Sequence, residues 1–354
     1  MCESALSALL ARISEPDEAA MAAARRQWDG LAKPLGSLGR LEEAVVRIAG
    51  LTGQADVRLP RRELFVFCAD NGVVARGVAQ SGPEVTAAVA RALGAGESTV
   101  CHMAQPARCA VTAVDVGILD FPGAPGVWDR RIRNGTADIA QGPAMRREEC
   151  VRALLAGAQV AAEGKARGAS ILAAGEMGIG NTTTTAAVAC ALLGGSPEAW
   201  VGRGAGLSGE GLRRKRAAVQ AAPAVNRPDP QDPVDVLTKV GGLDIAALCG
   251  FYLGCAAGRV PVLLDGAISA AAALCAARLC PAARGALLAS HVSAEPVGRP
   301  LLEALGLEPL LDAGLRLGEG SGAVAALPLL DMALAVYHGG QTFGRLGIDA
   351  YTPQ

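Results

Sequence analysis

Three glycine-rich segments of this chain carry reactive side chains among backbone groups that a ligand can approach. The first is Ala173-Ala-Gly-Glu-Met-Gly-Ile-Gly-Asn-Thr-Thr-Thr-Thr185, where an apolar run passes through glycines into a threonine-rich helix start. Free N–H groups and the helix dipole at such a start attract an anion. Gly175 to Thr182 has the spacing of a nucleoside-triphosphate loop, but Asn181 stands where that loop needs lysine. A single phosphate on a sugar therefore fits better than a triphosphate. The plainer reading is a tight strand–helix turn capped by threonine. Four threonines in succession are poor helix formers, which favours a role in binding. Glu176, Gly178, Gly180, Asn181 and Thr182 are the candidates here.

The second segment, Val201-Gly-Arg-Gly-Ala-Gly206, precedes a basic helix with Lys215 at its centre. Gly202 and Gly204 permit close backbone approach to a ligand, and Lys215 can supply the missing phosphate cation. Arg213 to Arg216 reads equally as a solvated basic face. The third, Leu315-Arg-Leu-Gly-Glu-Gly-Ser-Gly322, sets Glu319 just before a long apolar helix. That carboxylate can cap the helix or act as a confined general base. Only three histidines occur, His102, His291 and His338, so carboxylate chemistry is favoured over imidazole chemistry. A Gly-x-Ser-x-Gly elbow at a strand–helix turn is absent, which disfavours a serine hydrolase.

These segments need a scaffold, and the composition bounds it. The 354 residues are 51% hydrophobic, 19% charged and 3% aromatic, with 45 glycines and a net charge of -1. Such a chain buries a large core and is not disordered. Its charge balance argues against a nucleic-acid binder. The ten cysteines contain no Cys-x-x-Cys pair and sit mostly in apolar stretches, as expected of buried thiols in a reducing compartment. The N-terminus has no basic signal region. Residues 243–280, the most apolar region, are interrupted by Asp244, Arg259, Asp265 and glycines, so no clean membrane span is expected there. A soluble cytoplasmic protein is expected.

The first 60 residues read as helix: Ser14 is a cap candidate before acidic residues, and Leu38, Leu41, Val45, Ile48 and Leu51 have helical spacing around a polar glycine turn at Lys33–Arg40. Short apolar runs follow at Leu64–Cys68, Ala110–Val116, Ser170–Ala174, Val260–Leu264 and Ala286–Ala289, each leading to a small or polar loop and then a helical pattern. They predict an α/β fold with a mostly parallel sheet buried on both faces. Residues 120–145 read as a long loop, and 221–235 as a proline-rich connection. Ligands of such sheets bind at strand carboxyl ends. Those ends carry Asp70-Asn71-Gly72, Asp115, Gly175-Glu176, Asp265-Gly266 and Ser290-His-Val-Ser293, so polar groups should converge on one edge.

Six segments in this order carry a family resemblance: Lys33-Pro-Leu-Gly-Ser-Leu-Gly-Arg-Leu-Glu42, Ala69-Asp-Asn-Gly-Val73, Gly175-Glu-Met-Gly-Ile-Gly-Asn-Thr-Thr183, Val201-Gly-Arg-Gly204, Ser290-His-Val-Ser-Ala-Glu295 and Gly318-Glu-Gly-Ser-Gly322. Together, over about residues 15–345, the chain resembles the nicotinate-nucleotide–dimethylbenzimidazole phosphoribosyltransferases. The resemblance implies a Rossmann-like sheet flanked by helices. It also implies a large α/β domain over 61–319 and a smaller helical domain from residues 1–60 and about 320–354. It implies transfer of phosphoribose from nicotinate mononucleotide to 5,6-dimethylbenzimidazole with anomeric inversion, giving α-ribazole 5′-phosphate and nicotinate, by a homodimer without metal or other cofactor. It makes Glu319 the catalytic base; the positive charge that the ribosyl centre gains in a loose transition state calls for a nearby carboxylate, for which Glu176 is the candidate. It places the phosphoribosyl group near Gly178, Gly202, Gly204, Lys215 and Ser293, with Asp265 at the adjoining strand end, and the acceptor base near Ser81, Met177 and Leu317. Three positions depart from the family pattern: Asn71 where histidine is usual, Arg299 after Gly298, and Ser81 in Ser81-Gly-Pro83. A non-catalytic nucleotide binder would not need Glu319 with Lys215. An NAD-dependent dehydrogenase would need a Gly-x-Gly-x-x-Gly turn that neither glycine cluster provides.

Overall fold

The computed structural model describes residues 2–351. Six parallel strands, β1 Arg62–Ala69, β2 Cys109–Gly117, β3 Val127–Asp129, β4 Ile171–Met177, β5 Val262–Leu264 and β6 Leu287–Ala289, form one sheet in the order β3-β2-β1-β4-β5-β6. The order reverses between β1 and β4, which opens the crevice where doubly wound sheets bind ligands. β1 is buried along its whole length, which explains its continuous apolar run. Its side chains alternate between two cores. Phe65 and Phe67 face one, with the helices Arg147–Ala166, Leu243–Gly258 and Ala267–Leu279; Leu64, Val66 and Cys68 face the other, with the helices Arg40–Thr52 and Ser321–Gly339.

The five expected strands are all present. β3 is a sixth, inside the expected 120–145 loop; it is a short, half-exposed edge strand with too little apolar pattern to read. The helix Glu18–Asp29 is capped by Asp17, which accepts from Ala20 N at 2.9 Å, rather than by Ser14. The proline-rich connection is shorter than expected: Pro223 lies inside the helix Gly209–Asn226, and Pro233 opens the helix Pro233–Val240. Proline is tolerated in the first turn because its missing N–H would be unpaired there anyway.

Small residues let the helices cross closely. A Cβ on Gly157 would lie 1.8 Å from the Ala247 carbonyl oxygen, and one on Gly250 1.8 Å from that of Leu154. The helices Arg147–Ala166 and Leu243–Gly258 thus meet backbone to backbone, a crossing that only small residues allow. All ten cysteines are unpaired, and seven are buried.

The chain ends meet across the other layer. Trp28 and Tyr337 pack in a tilted arrangement with ring centroids 4.9 Å apart, Gln27 Nε2 donates to the Tyr337 carbonyl at 2.9 Å, and Leu31 bridges to Thr342. The first helix, Cys2–Leu10, packs instead against Arg147–Ala166 and Leu243–Gly258. Residues 1 and 352–354 of the expected small domain lie outside the described residues. Among those described, one helix, Ser321–Gly339 rather than any in 243–280, is long and apolar enough to cross a membrane. Here it packs on β4 and β5, and its Asp331 pairs with the buried Arg62 of β1, as a core helix would.

Candidate active site

A cavity of about 300 Å³ opens at the carboxyl ends of β4, β5 and β6. It is built around one unusual turn. Gly318, Glu319 and Gly320 have φ of 85°, 59° and 84°. A left-handed conformation is costly for glutamate and uncommon outside glycine, and such strain concentrates at functional sites. Tertiary contacts hold it. Glu319 N donates to the Glu176 carbonyl at 3.1 Å, and the turn lies so close to β4 that a Cβ on Gly175 would sit 2.5 Å from its backbone. Asp265, just beyond β5, accepts from Gly322 N at 2.7 Å and from Gly320 N at 3.2 Å. It therefore caps the Ser321–Gly339 helix and fixes the turn.

The Glu319 side chain is buried and faces the cavity, with Oε2 3.5 Å from Val100 N. Burial raises its pKa above the ordinary carboxylate value. The Val100 N–H and the Ser98 hydroxyl oppose that shift, and Asp265 adds to it. A raised carboxylate pKa suits proton abstraction near neutral pH.

Glu176 lies at the end of β4. Burial, then Asp244 and Asp265, push its pKa well above the usual range, against a hydrogen bond from Asn181. The Asn181 amide donates to Glu176 Oε2 and also to Asp244 Oδ2, the latter at 3.2 Å. Asp244 is itself raised to about 7, by burial and against the same amide. Asp244 escaped the sequence reading because it looked like a break in an apolar run; its place after Gly241-Gly242 at a helix start was the available signal.

The anion side of the cavity is built from the second glycine segment. Lys215 is fully buried, yet its Nζ reaches the cavity; it donates to Thr182 Oγ1 at 2.7 Å and to the Gly202 carbonyl at 3.1 Å. An ammonium group has three protons, so one remains for a ligand. Burial lowers the Lys215 pKa to about 8, and Glu295 opposes that shift. The flanking arginines behave as the solvated face: Arg213 and Arg214 are exposed, and Arg214 pairs with Glu210 at 2.7 Å. Of the other lysines, Lys33 pairs with Glu42 and Lys239 with Asp235.

Almost every predicted site residue lines this one cavity: Glu176, Met177, Gly178, Gly180, Asn181, Thr182, Gly204, Lys215, Asp265, Ser293, Leu317, Glu319 and Ser81. Gly202 stands behind it, as the carbonyl that orients Lys215. Of the four threonines only Thr182 faces the cavity; Thr183, Thr184 and Thr185 are buried in the helix. Not all polar strand ends converge. Asp70 accepts from Leu119 N at 2.8 Å, and Asp115 pairs with Arg131, both away from the cavity. Of the three departures from the family pattern, Asn71 is buried behind the Gly178–Gly180 loop, donating to the Ile179 carbonyl at 3.4 Å. Arg299 pairs with Asp312 at the surface. Only Ser81 touches the cavity. Its wall there is apolar, with Val85, Val89, Met177 and a half-exposed Leu317.

A buried lysine beside glycine N–H groups, in one cavity with two buried carboxylates at the strand carboxyl ends of a parallel sheet, defines an α/β enzyme for a small molecule. Residues 13–348 match the phosphoribosyltransferase family DBI_PRT. A nicotinate-nucleotide–dimethylbenzimidazole phosphoribosyltransferase of Ruminiclostridium cellulolyticum is 45% identical over 341 residues, 96% of this chain and 97% of the relative. A protein of the same name from Thermus thermophilus is 48% identical over 323 residues, 91% of this chain and 96% of the relative. The crystal structure of CobT from Thermus thermophilus superposes with a TM-score of 0.89 at 47% identity, covering 94% of this chain and 99% of that one. The chain belongs to the phosphoribosyltransferase family.

Proposed function

We propose that this enzyme transfers the phosphoribosyl group of nicotinate mononucleotide to 5,6-dimethylbenzimidazole or a related lower-ligand base, in cobalamin nucleotide-loop biosynthesis. The observation that carries the reading is the Glu319 turn. It aims a buried carboxylate of raised pKa into the same cavity as Lys215 and the Gly204 loop.

In this reading the 5′-phosphate takes the free Lys215 proton and the N–H groups of the glycine loops. The acceptor base lies against Met177, Val85, Val89 and Leu317. One of its ring nitrogens attacks C1′ of the ribose while Glu319 takes the proton from the other. The C1′–N bond to the pyridinium breaks, its electron pair returns to the ring nitrogen, and nicotinate leaves without an added proton. Attack opposite the leaving group inverts the anomeric carbon without a covalent intermediate. The ribosyl centre gains positive charge in this step, and Glu176 is placed to face it. In the empty site burial favours the protonated form of Glu176; a cationic donor favours ionisation, so the countercharge forms when the substrate arrives.

Purified enzyme given nicotinate mononucleotide and a benzimidazole should release nicotinate and form an α-riboside phosphate. No nicotinate release with any benzimidazole, purine or phenol overturns the reading. We also propose a cytoplasmic homodimer, in keeping with the free cysteines and with Met332 and Val336 exposed on the outer face of an apolar helix. The Trp28–Tyr337 and Leu31–Thr342 contacts support a small helical unit made from the two chain ends.

A further inference from the structure

We propose that Glu295 is the resident anion of the phosphate pocket, held by the loop that will bind phosphate and displaced when phosphate enters. The inference rests on reading that pocket as a phosphate site. Glu295 Oε1 accepts from Gly204 N at 3.1 Å. Its other oxygen lies against the same loop, 2.2 Å from where a Cβ on Gly202 would be. The carboxylate therefore uses an N–H group that an incoming phosphate needs.

Lys215 explains why an anion is kept there. Its hydrogen bonds go to neutral oxygens, the Thr182 hydroxyl and the Gly202 carbonyl. A buried cation without a countercharge is costly, and Glu295 is the carboxylate that favours its charged form. Glu295 thus offsets part of the cost of burying that charge. A phosphate dianion and this carboxylate cannot share the Gly204 N–H without strong repulsion, so one must leave. The side chain is the part free to do so. Glu295 N donates to Ser293 Oγ at 3.2 Å and Pro296 follows, which holds the backbone, while the half-buried carboxylate has a path to solvent. The exchange makes binding selective for phosphorylated ligands: a ribosyl compound without phosphate offers nothing to take the carboxylate's place.

The test is Glu295→Gln, which keeps the shape and an oxygen for Gly204 N–H but removes the charge. Affinities for inorganic phosphate, nicotinate mononucleotide and nicotinate riboside are measured by calorimetry at about two pH units below the parent's Lys215 titration, so that the lysine stays charged even without Glu295. The variant should bind phosphate and the mononucleotide at least about tenfold more tightly than the parent, from relief of close like-charge repulsion. The riboside should be unchanged. Unchanged or weaker phosphate binding overturns the proposal, and so does equal tightening of the riboside. If the parent binds neither phosphate nor the mononucleotide, the phosphate-site reading itself fails. If it binds both and Glu295→Gln gains nothing, only the displacement fails. A phosphate-soaked crystal of the parent gives a check independent of the variant's folding. Phosphate on Gly204 N with Glu295 swung away is expected, and Glu295 still on Gly204 beside bound phosphate overturns the idea.

Discussion

At the scale of single residues, the proposed chemistry depends on two groups whose surroundings shift their proton affinity. Glu319, the proposed base, is raised by burial and sits on a left-handed backbone that lines the cavity. Glu319→Gln should lower kcat by about 10²- to 10⁴-fold, the usual worth of a general base, while the dissociation constant for nicotinate mononucleotide stays near that of the parent. Near-normal turnover would remove Glu319 from the role. The pH profile follows from the signs. Glu319 must be deprotonated to accept a proton, so kcat/KM falls as pH drops through a value above the ordinary carboxylate pKa. Lys215 must be protonated to hold phosphate, so kcat/KM falls again as pH rises past about 8. A bell with those two limbs is expected, and an alkaline limb absent in Lys215→Met but present in the parent would assign it. Both residues were legible in the sequence from their type and glycine setting. Asp244 was not, because its glycine setting at a helix start is weak against the apolar run around it, and its partner Asn181 comes from another segment.

At the scale of elements, capping and close crossing position the site. Asp265 holds the Ser321–Gly339 helix start by two N–H groups. Asp265→Ala should cost about 1–3 kcal/mol, as the loss of charge-assisted bonds to a helix end does. It should also reduce kcat, since Glu319 belongs to the same turn; thermal melts and steady-state rates together check this. Gly250→Ala would press a methyl into the Leu154 carbonyl. Separation of the two helices should cost about 1–3 kcal/mol, and an unchanged melting temperature would show that the crossing is looser than it looks. The buried strands were readable because burial on both faces leaves a continuous apolar run. β3 was not, because three edge residues, two half-exposed and one exposed, leave none.

At the scale of the whole molecule, the sheet links both ends of the chain to the active site. Arg62 at the start of β1 pairs with Asp331 in the helix that follows the Glu319 turn, so that turn is anchored at the far side of the core. The outer face of that helix exposes Met332 and Val336. If the proposed homodimer uses this face, Met332→Asp should shift sedimentation from a two-chain to a one-chain mass; a two-chain mass in the variant would place the interface elsewhere.

The amino-acid sequence alone determined the α/β class, five of six strands and the glycine segments, and it singled out Glu319 and Lys215 as candidates. Those follow from local pattern: apolar runs, glycine spacing and the scarcity of lysine and histidine. Only the tertiary structure decided which strand-end acids face the cavity, which threonine reaches Lys215, how Asn181 joins Glu176 to Asp244, and that Glu295 occupies the anion loop. Each of these is a contact between residues from different segments of the chain. A turn residue has the same local signature whether it faces a ligand or its own backbone, and the packing of helices on the sheet settles which.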